Sequence, residues 1–217
     1  MKHLTNGYCT LIKDLDFYSL IFKEPVISIS SAPFNGGLNL VKMYMNRQVP
    51  IDYNHDPVKE IANFLVERGF PREGSLVTIT ACDLENAFIN EFFMDDFFFL
   101  LSMTACFSNA LSIGGSGLKM PGTVNITVFT DHSLSIAGGL NLFQSIVEAK
   151  SQAFNDFGIR DRNTGMPSPG TSTDTTSVLL THRDGENNYG GRLTDIGKQV
   201  SIAVHSGIEE ILRCSGE

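Results

Sequence analysis

Two runs of strict alternation constrain this chain more than any other feature. Val26-Ile27-Ser28-Ile29-Ser30 and Thr123-Val124-Asn125-Ile126-Thr127-Val128-Phe129 place apolar side chains at every second position. Period two marks a strand, whose successive side chains point to opposite faces. Helical signals are interleaved with these runs. Asp56-Pro57 supplies an N-cap carboxylate and a proline at the first helical position; Ile61, Phe64 and Leu65 give that helix one apolar face before Gly69 ends it. A longer helix is predicted over 135–157 with Gly158 as its stop, and a last one over 192–213. Residues 10–12 and 17–22 read as two strands joined in hairpin fashion, and 76–80, 97–104 and 177–181 as further strands. Residues 38–47 read as a helix, and 84–89 as a short one. Strands alternating with helices imply an α/β fold: one domain over 1–217, a sandwich with a mixed central β-sheet covered by helices. The sheet is expected to be mixed because the N-terminal strands look hairpin-linked.

Composition narrows the function classes. With 18% charged and 42% apolar residues the chain is expected to pack as a globule, and its 217 residues suffice to bury roughly 70% of the unfolded surface. A formal charge of -8 argues against broad nucleic-acid binding. The greasy run 97–105 is far shorter than the roughly 20 residues a membrane helix needs, and no secretory segment opens the chain, so a cytoplasmic setting with reduced thiols and no membrane partner is expected. Cys9, Cys82, Cys106 and Cys214 form no CxxC pair. None of His3, His55, His132, His182 and His205 pairs at metal-ligand spacing, so no metal is expected. The aromatics at 92–93 and 97–99 either pack in the core or supply a homo-oligomer contact.

Three loops share a polar, glycine-rich composition: 30–37, 104–117 and 169–176. Ligands of open α/β sheets bind beyond strand ends, where loops diverge. Gly170-Thr171-Ser172-Thr173-Asp174 offers closely approachable amides, hydroxyls and one carboxylate. These are the parts of a phosphate cradle or of an oxyanion hole beside a base, and equally of a solvated turn. The glycines at 114–117 match no phosphate-binding fingerprint. In the long helix, Phe143, Val147, Phe154 and Phe157 fall in one stripe, with Lys150 near its centre. A lysine there either snorkels to water or reaches an anion, for which Asp174 or an anionic ligand group is the candidate.

At these same segments the chain resembles the CbiZ family, the adenosylcobinamide amidohydrolases of archaeal corrinoid salvage. The matching pieces, in family order, are SSAPFNGG (30–37), NRQVPIDYN (46–54), SNA (108–110), PGTVNITV (121–128), EAKSQAF (148–154) and GTSTDTT (170–176). The resemblance implies hydrolysis of the amide between a corrin side chain and aminopropanol, giving adenosylcobyric acid. Residue chemistry at the matching positions suggests Asp174 as base, with Thr173 and the Gly170, Thr171 and Ser172 amides around the oxyanion. Asn35, Asn46, Asn109 and Asn125 are expected to orient the substrate beside Gly36 and Gly37, and Lys150 to meet an anionic group.

The family has a second branch, the Hcg F proteins of methanogens, which serve the iron-guanylylpyridinol cofactor of [Fe]-hydrogenase. That resemblance implies transfer of the activated carboxyl of guanylylpyridinol from its AMP anhydride to an N-terminal cysteine as a thioester, with the upstream adenylylating enzyme as a partner. Cys9 matches this feature and tips the sequence reading toward the carrier. In either branch the ligand, guanylylpyridinol or a corrinoid, is a substrate, and no tightly bound cofactor is expected. No His or Lys adjoins Cys9 in sequence to activate it.

Overall fold

The computed structural model describes residues 2–116, 122–181 and 185–215. Gly117, Pro121 and His182, which figure in the sequence reading, lie outside them. Among the described residues nine strands and three α-helices follow in the order β1 (Lys2–Leu4), β2 (Cys9–Lys13), β3 (Phe17–Ser30), β4 (Gly37–Gln48), α1 (Pro57–Glu67), β5 (Ser75–Thr80), β6 (Phe88–Phe93), β7 (Phe98–Ala105), β8 (Val124–Thr130), α2 (Ile136–Asp156), β9 (Thr175–Leu180) and α3 (Asp195–Ser215). All nine strands join one mixed sheet. The pairs β4–β5 and β8–β9 are parallel, and the others are antiparallel.

Strand β3 organises this sheet. Its first half pairs with β2, its second half with β9, and β4 runs along both halves with a register shift between Ile21 and Val26. Such an irregularity bends a strand and increases its twist. The sheet curls until the Asn125 side chain on β8 donates to the Ile79 carbonyl on β5 (2.9 Å), which nearly closes it. Three apolar cores result. One lies inside the curl, one between the outer face and α2 with α3, and one between β4, β5 and α1.

The fold class expected from sequence holds, and two element assignments do not. Residues 38–47 form most of β4, not a helix. Leu, Met, Lys and Arg favour a helix locally, but here pairing with β3 on one edge and β5 on the other prevails, burying Met43 and Met45 against α1 and Tyr44 inside the curl. Residues 84–89 hold a single 3-10 turn, Leu84–Asn86, and then enter β6. By contrast α1 begins where the sequence placed it. Asp56 accepts from the Val58 and Lys59 amides (3.0 and 3.4 Å), with Pro57 in the first turn. In α2 the most buried stripe runs through Leu142, Ile146, Ala149 and Ala153. Phe143, Val147 and Phe157 flank it, so Lys150 stands at the border of the stripe rather than its centre.

Candidate active site

Along the inward-facing positions the chemistry changes from one end of the strands to the other. On β7, Phe98 and Leu100 give way to Ser102 and Thr104; on β5, Leu76 gives way to Thr78 and Thr80. At the polar end Asn46 donates to the Tyr18 hydroxyl (3.1 Å) and to Thr104 Oγ1 (2.9 Å), while its Oδ1 accepts from Thr78 and from Asn125 (both 3.0 Å). Asn125 in turn accepts from Thr175 Oγ1 (2.7 Å). Both asparagines are fully buried, and these bonds offset the cost of burying them.

Above this network a cleft of about 1020 Å³ opens. Its walls come from residues 31 and 33, 49–55, 79–81, 109 and 111, 122–123 and 172–175, so all three loops singled out in the sequence meet there. The segment before α1 is pinned at its start by the Val49 amide on the Thr80 carbonyl (2.8 Å) and turned by Tyr53 N on Pro50 O (3.0 Å). Arg47 pairs with Glu60 and lays its guanidinium 3.9 Å over the Phe64 ring, fastening α1 to β4.

Asn109, Ser172, Thr173 and Asp174 line this cleft. Asn109 donates to the Gly122 carbonyl (3.2 Å) and to Ser172 Oγ (2.6 Å), and Thr173 Oγ1 donates to Gly122 O (3.1 Å). Lys150, only 7% exposed, reaches across from α2 to form an ion pair with Asp174. Asp174 also accepts from the Thr171 amide (3.0 Å), the Thr171 hydroxyl and the Val124 amide (3.0 Å). A Cβ on Gly170 would meet the Asp174 carboxylate and the Lys150 ammonium, so any larger residue here would displace the ion pair. Gly170 and Thr171 therefore stand behind the cleft wall and shape it.

Other sequence candidates lie elsewhere. Asn35, at φ 55°, donates to the carbonyls of Arg72 (3.0 Å) and Ser75 (2.7 Å), which ties the turn before β4 to the start of β5. Gly36 and Gly37 serve the same turn, and none of the three lines the cleft. Asn46 and Asn125 lie beneath the floor, reaching it through Thr175. Cys9 is 1% exposed on β2, in the apolar end of the curl with Leu11, Phe22 and Phe129, and does not line the cleft. Its Sγ lies 3.6 Å from Thr5 Oγ1. Burial pushes the thiol up to about 11, the Thr5 hydroxyl opposes the rise and the Glu91 charge adds to it. Sequence reasoning assigned no role to Asp52, Tyr53 and His55, all on the cleft wall. The signal available was the density of ionisable and hydrogen-bonding side chains between the end of NRQVP and the Asp56 cap. Among the described residues, no cluster of three His, Cys, Asp or Glu side chains could hold a metal, and no helix is long and apolar enough to cross a membrane.

Sequence similarity to known proteins extends over most of the chain. The CbiZ family model, described as adenosylcobinamide amidohydrolase, matches residues 8–216. An adenosylcobinamide amidohydrolase of Methanosarcina mazei is 27% identical over 201 residues, covering 92% of this chain and 96% of that protein. An uncharacterised protein of Methanocaldococcus jannaschii is 25% identical, the alignment covering 81% of this chain and 78% of that one. With the family model matching nearly its whole length, the chain belongs to the CbiZ family of adenosylcobinamide amidohydrolase-like enzymes.

Proposed function

We propose that this protein hydrolyses a side-chain amide of a corrinoid of the adenosylcobinamide class, bound in the cleft between the 49–55 and 172–175 segments. The observation that carries this reading is the separation of thiol and cleft. Cys9 lies at the sealed apolar end with its thiol raised to about 11, so it is protonated at neutral pH and out of reach of a cleft-bound acyl group. Thioester formation needs an accessible thiolate. Amide hydrolysis needs water, a proton carrier and donors for the tetrahedral oxyanion.

Ser172 meets the last requirement. Its hydroxyl oxygen accepts from Asn109, which leaves its own proton for a ligand. Its backbone N–H makes no hydrogen bond with the described residues. Asp174 supports these donors from behind: with four hydrogen bonds from three residues it fixes residues 171–174 in place, as preorganised stabilisation of a developing charge requires. In this reading Asp174 is a positioning carboxylate rather than the base.

The competing reading, transfer of the guanylylpyridinol carboxyl from its AMP anhydride to Cys9, would use the same cleft and a different nucleophile. Wild type and Cys9→Ala, each incubated with adenosylcobinamide and separately with adenylylated guanylylpyridinol, distinguish the two. Both proteins are expected to release aminopropanol, and neither to gain mass. A hydroxylamine-labile adduct on the wild type alone would overturn the hydrolytic reading.

A further inference from the structure

Hydrolysis leaves one role unfilled: the group that takes a proton from water and returns it to the departing nitrogen. Among the described residues the ionisable side chains on the cleft wall are Asp52, Tyr53, His55 and Asp174. Asp174 cannot serve. Its Oδ1 receives the Val124 amide and the Thr171 hydroxyl, and its Oδ2 receives the Lys150 ammonium and the Thr171 amide. Four donors on two oxygens leave no lone pair directed at a water. Tyr53 is held protonated, because burial and the Glu60 charge raise its phenol above the ordinary range. Asp52 and His55 remain, both exposed. Of the two, only an imidazole belongs to the class that readily accepts and gives back a proton near neutral pH.

We infer that His55 is the general base and then the general acid of amide hydrolysis in this cleft, an inference that rests on the hydrolytic reading above. Its ring meets the Tyr53 ring edge-on at a centroid distance of 5.6 Å, which limits its orientations. The segment that carries it is anchored by the Val49–Thr80 hydrogen bond on one side and the Asp56 cap of α1 on the other. The titratable groups that share the cleft walls with it are Asp52 and Tyr53 from its own loop and Asp174 from the loop before β9.

The step balances without a co-reactant other than water. An imidazole nitrogen takes one proton as the water oxygen bonds to the amide carbonyl carbon, and the Ser172 donors receive the oxyanion. When the carbonyl re-forms, the C–N bond breaks and the imidazolium proton passes to the leaving nitrogen. A carboxylic acid and an amine are released, and His55 is neutral again.

The test follows amine release from adenosylcobinamide against pH for wild type, His55→Gln, His55→Ala and Asp52→Asn. His55→Gln is expected to lower kcat by about 10²–10⁴-fold with little change in KM, and to abolish the acidic limb of the kcat/KM profile. Added imidazole is expected to restore part of the His55→Ala rate, which a purely structural role would not permit. Because His55 is exposed, the melting temperature of each variant should match wild type. An active wild type whose His55→Gln variant keeps its kcat and pH profile overturns the role of His55 and leaves hydrolysis standing. Loss of the acidic limb in Asp52→Asn alone would transfer the role to Asp52 and overturn it too. A wild type that leaves the amide intact overturns both readings.

Discussion

The two ends of the curled sheet's interior are built by the same strands and do opposite things. At one end Phe22, Val26, Leu76, Phe98, Leu100, Phe129 and Leu179 share an apolar core with Cys9, and Thr5 and the Glu91 carboxylate stand at its edge. At the other, Tyr18, Asn46, Thr78, Ser102, Thr104, Asn125 and Thr175 form a continuous hydrogen-bonded network under the cleft. β8 passes from Asn125 to Phe129, and β9 from Thr175 to Leu179, within one strand length. A sheet of one architecture thus acts as a plug at one end and as a floor at the other. The difference teaches where reactivity can arise. A thiol in the plug is desolvated and held protonated, whereas polar groups at the floor are oriented beneath an open cleft.

Four substitutions test this division, and the largest effect is expected at the cleft's back wall. Lys150→Met leaves the Asp174 carboxylate without its ammonium, and loss of one partner of a largely buried pair costs about 3–5 kcal/mol. Urea unfolding should register that loss, and titration with adenosylcobinamide should register weaker binding, since the 171–174 loop is released. Unchanged stability together with unchanged affinity would remove the pair from the account of the site. At the plug, Leu100→Ala opens a cavity around a fully buried side chain and is expected to cost about 3 kcal/mol. Here the folded variant should bind and turn over ligand as wild type does; a shifted KM would show that the ends communicate.

Asn125→Ala removes donors from Asn46 Oδ1 and the Ile79 carbonyl and an acceptor from Thr175, for about 2 kcal/mol in unfolding. Unlike Leu100→Ala it should also alter kinetics, because Thr175 lines the cleft. The smallest effect is expected for Cys9→Ala, about 1 kcal/mol or less with activity retained. Its signature is in the pH dependence. The folded thiol is raised from an ordinary 9.0 to about 11, so its contribution is fully present below about pH 9 and is lost as pH rises toward 11, where the unfolded chain ionises first. Unfolding midpoints across that window should fall for wild type and lack this component in Cys9→Ala. Equal slopes would mean the thiol is not desolvated.

Local signals were read correctly where the physics is local. The Asp56-Pro57 start of α1 depends on hydrogen bonds two and three residues away, and Gly158, at φ 69°, ends α2 by its own conformation. The Lys150–Asp174 pair was legible only in part: helical spacing put a charge beside apolar neighbours, and Asp174 was one of the open answers beside water and an anionic ligand group. β4 was not legible, because its two partners come from other parts of the chain and override a helical composition. Nor were the roles of Asn46 and Asn125, expected at a ligand and found in the floor beneath it. An asparagine reads the same in sequence whether it faces a substrate or another asparagine.

By itself, the sequence determined the places of the capped helices α1 and α2, the mixed α/β class and the membership of a family, because caps, period and motif order are properties of the chain read in one dimension. Tertiary structure decided which end of the sheet is sealed. Whether the side chain at position 9 is a nucleophile or packing depends on water, and water is admitted or excluded only by residues that the fold brings from elsewhere: Leu4 and Phe22 from the strands on either side, and Phe129 from β8. The same closure carries His55, 46 positions further along the chain, to the open end where a proton can be exchanged.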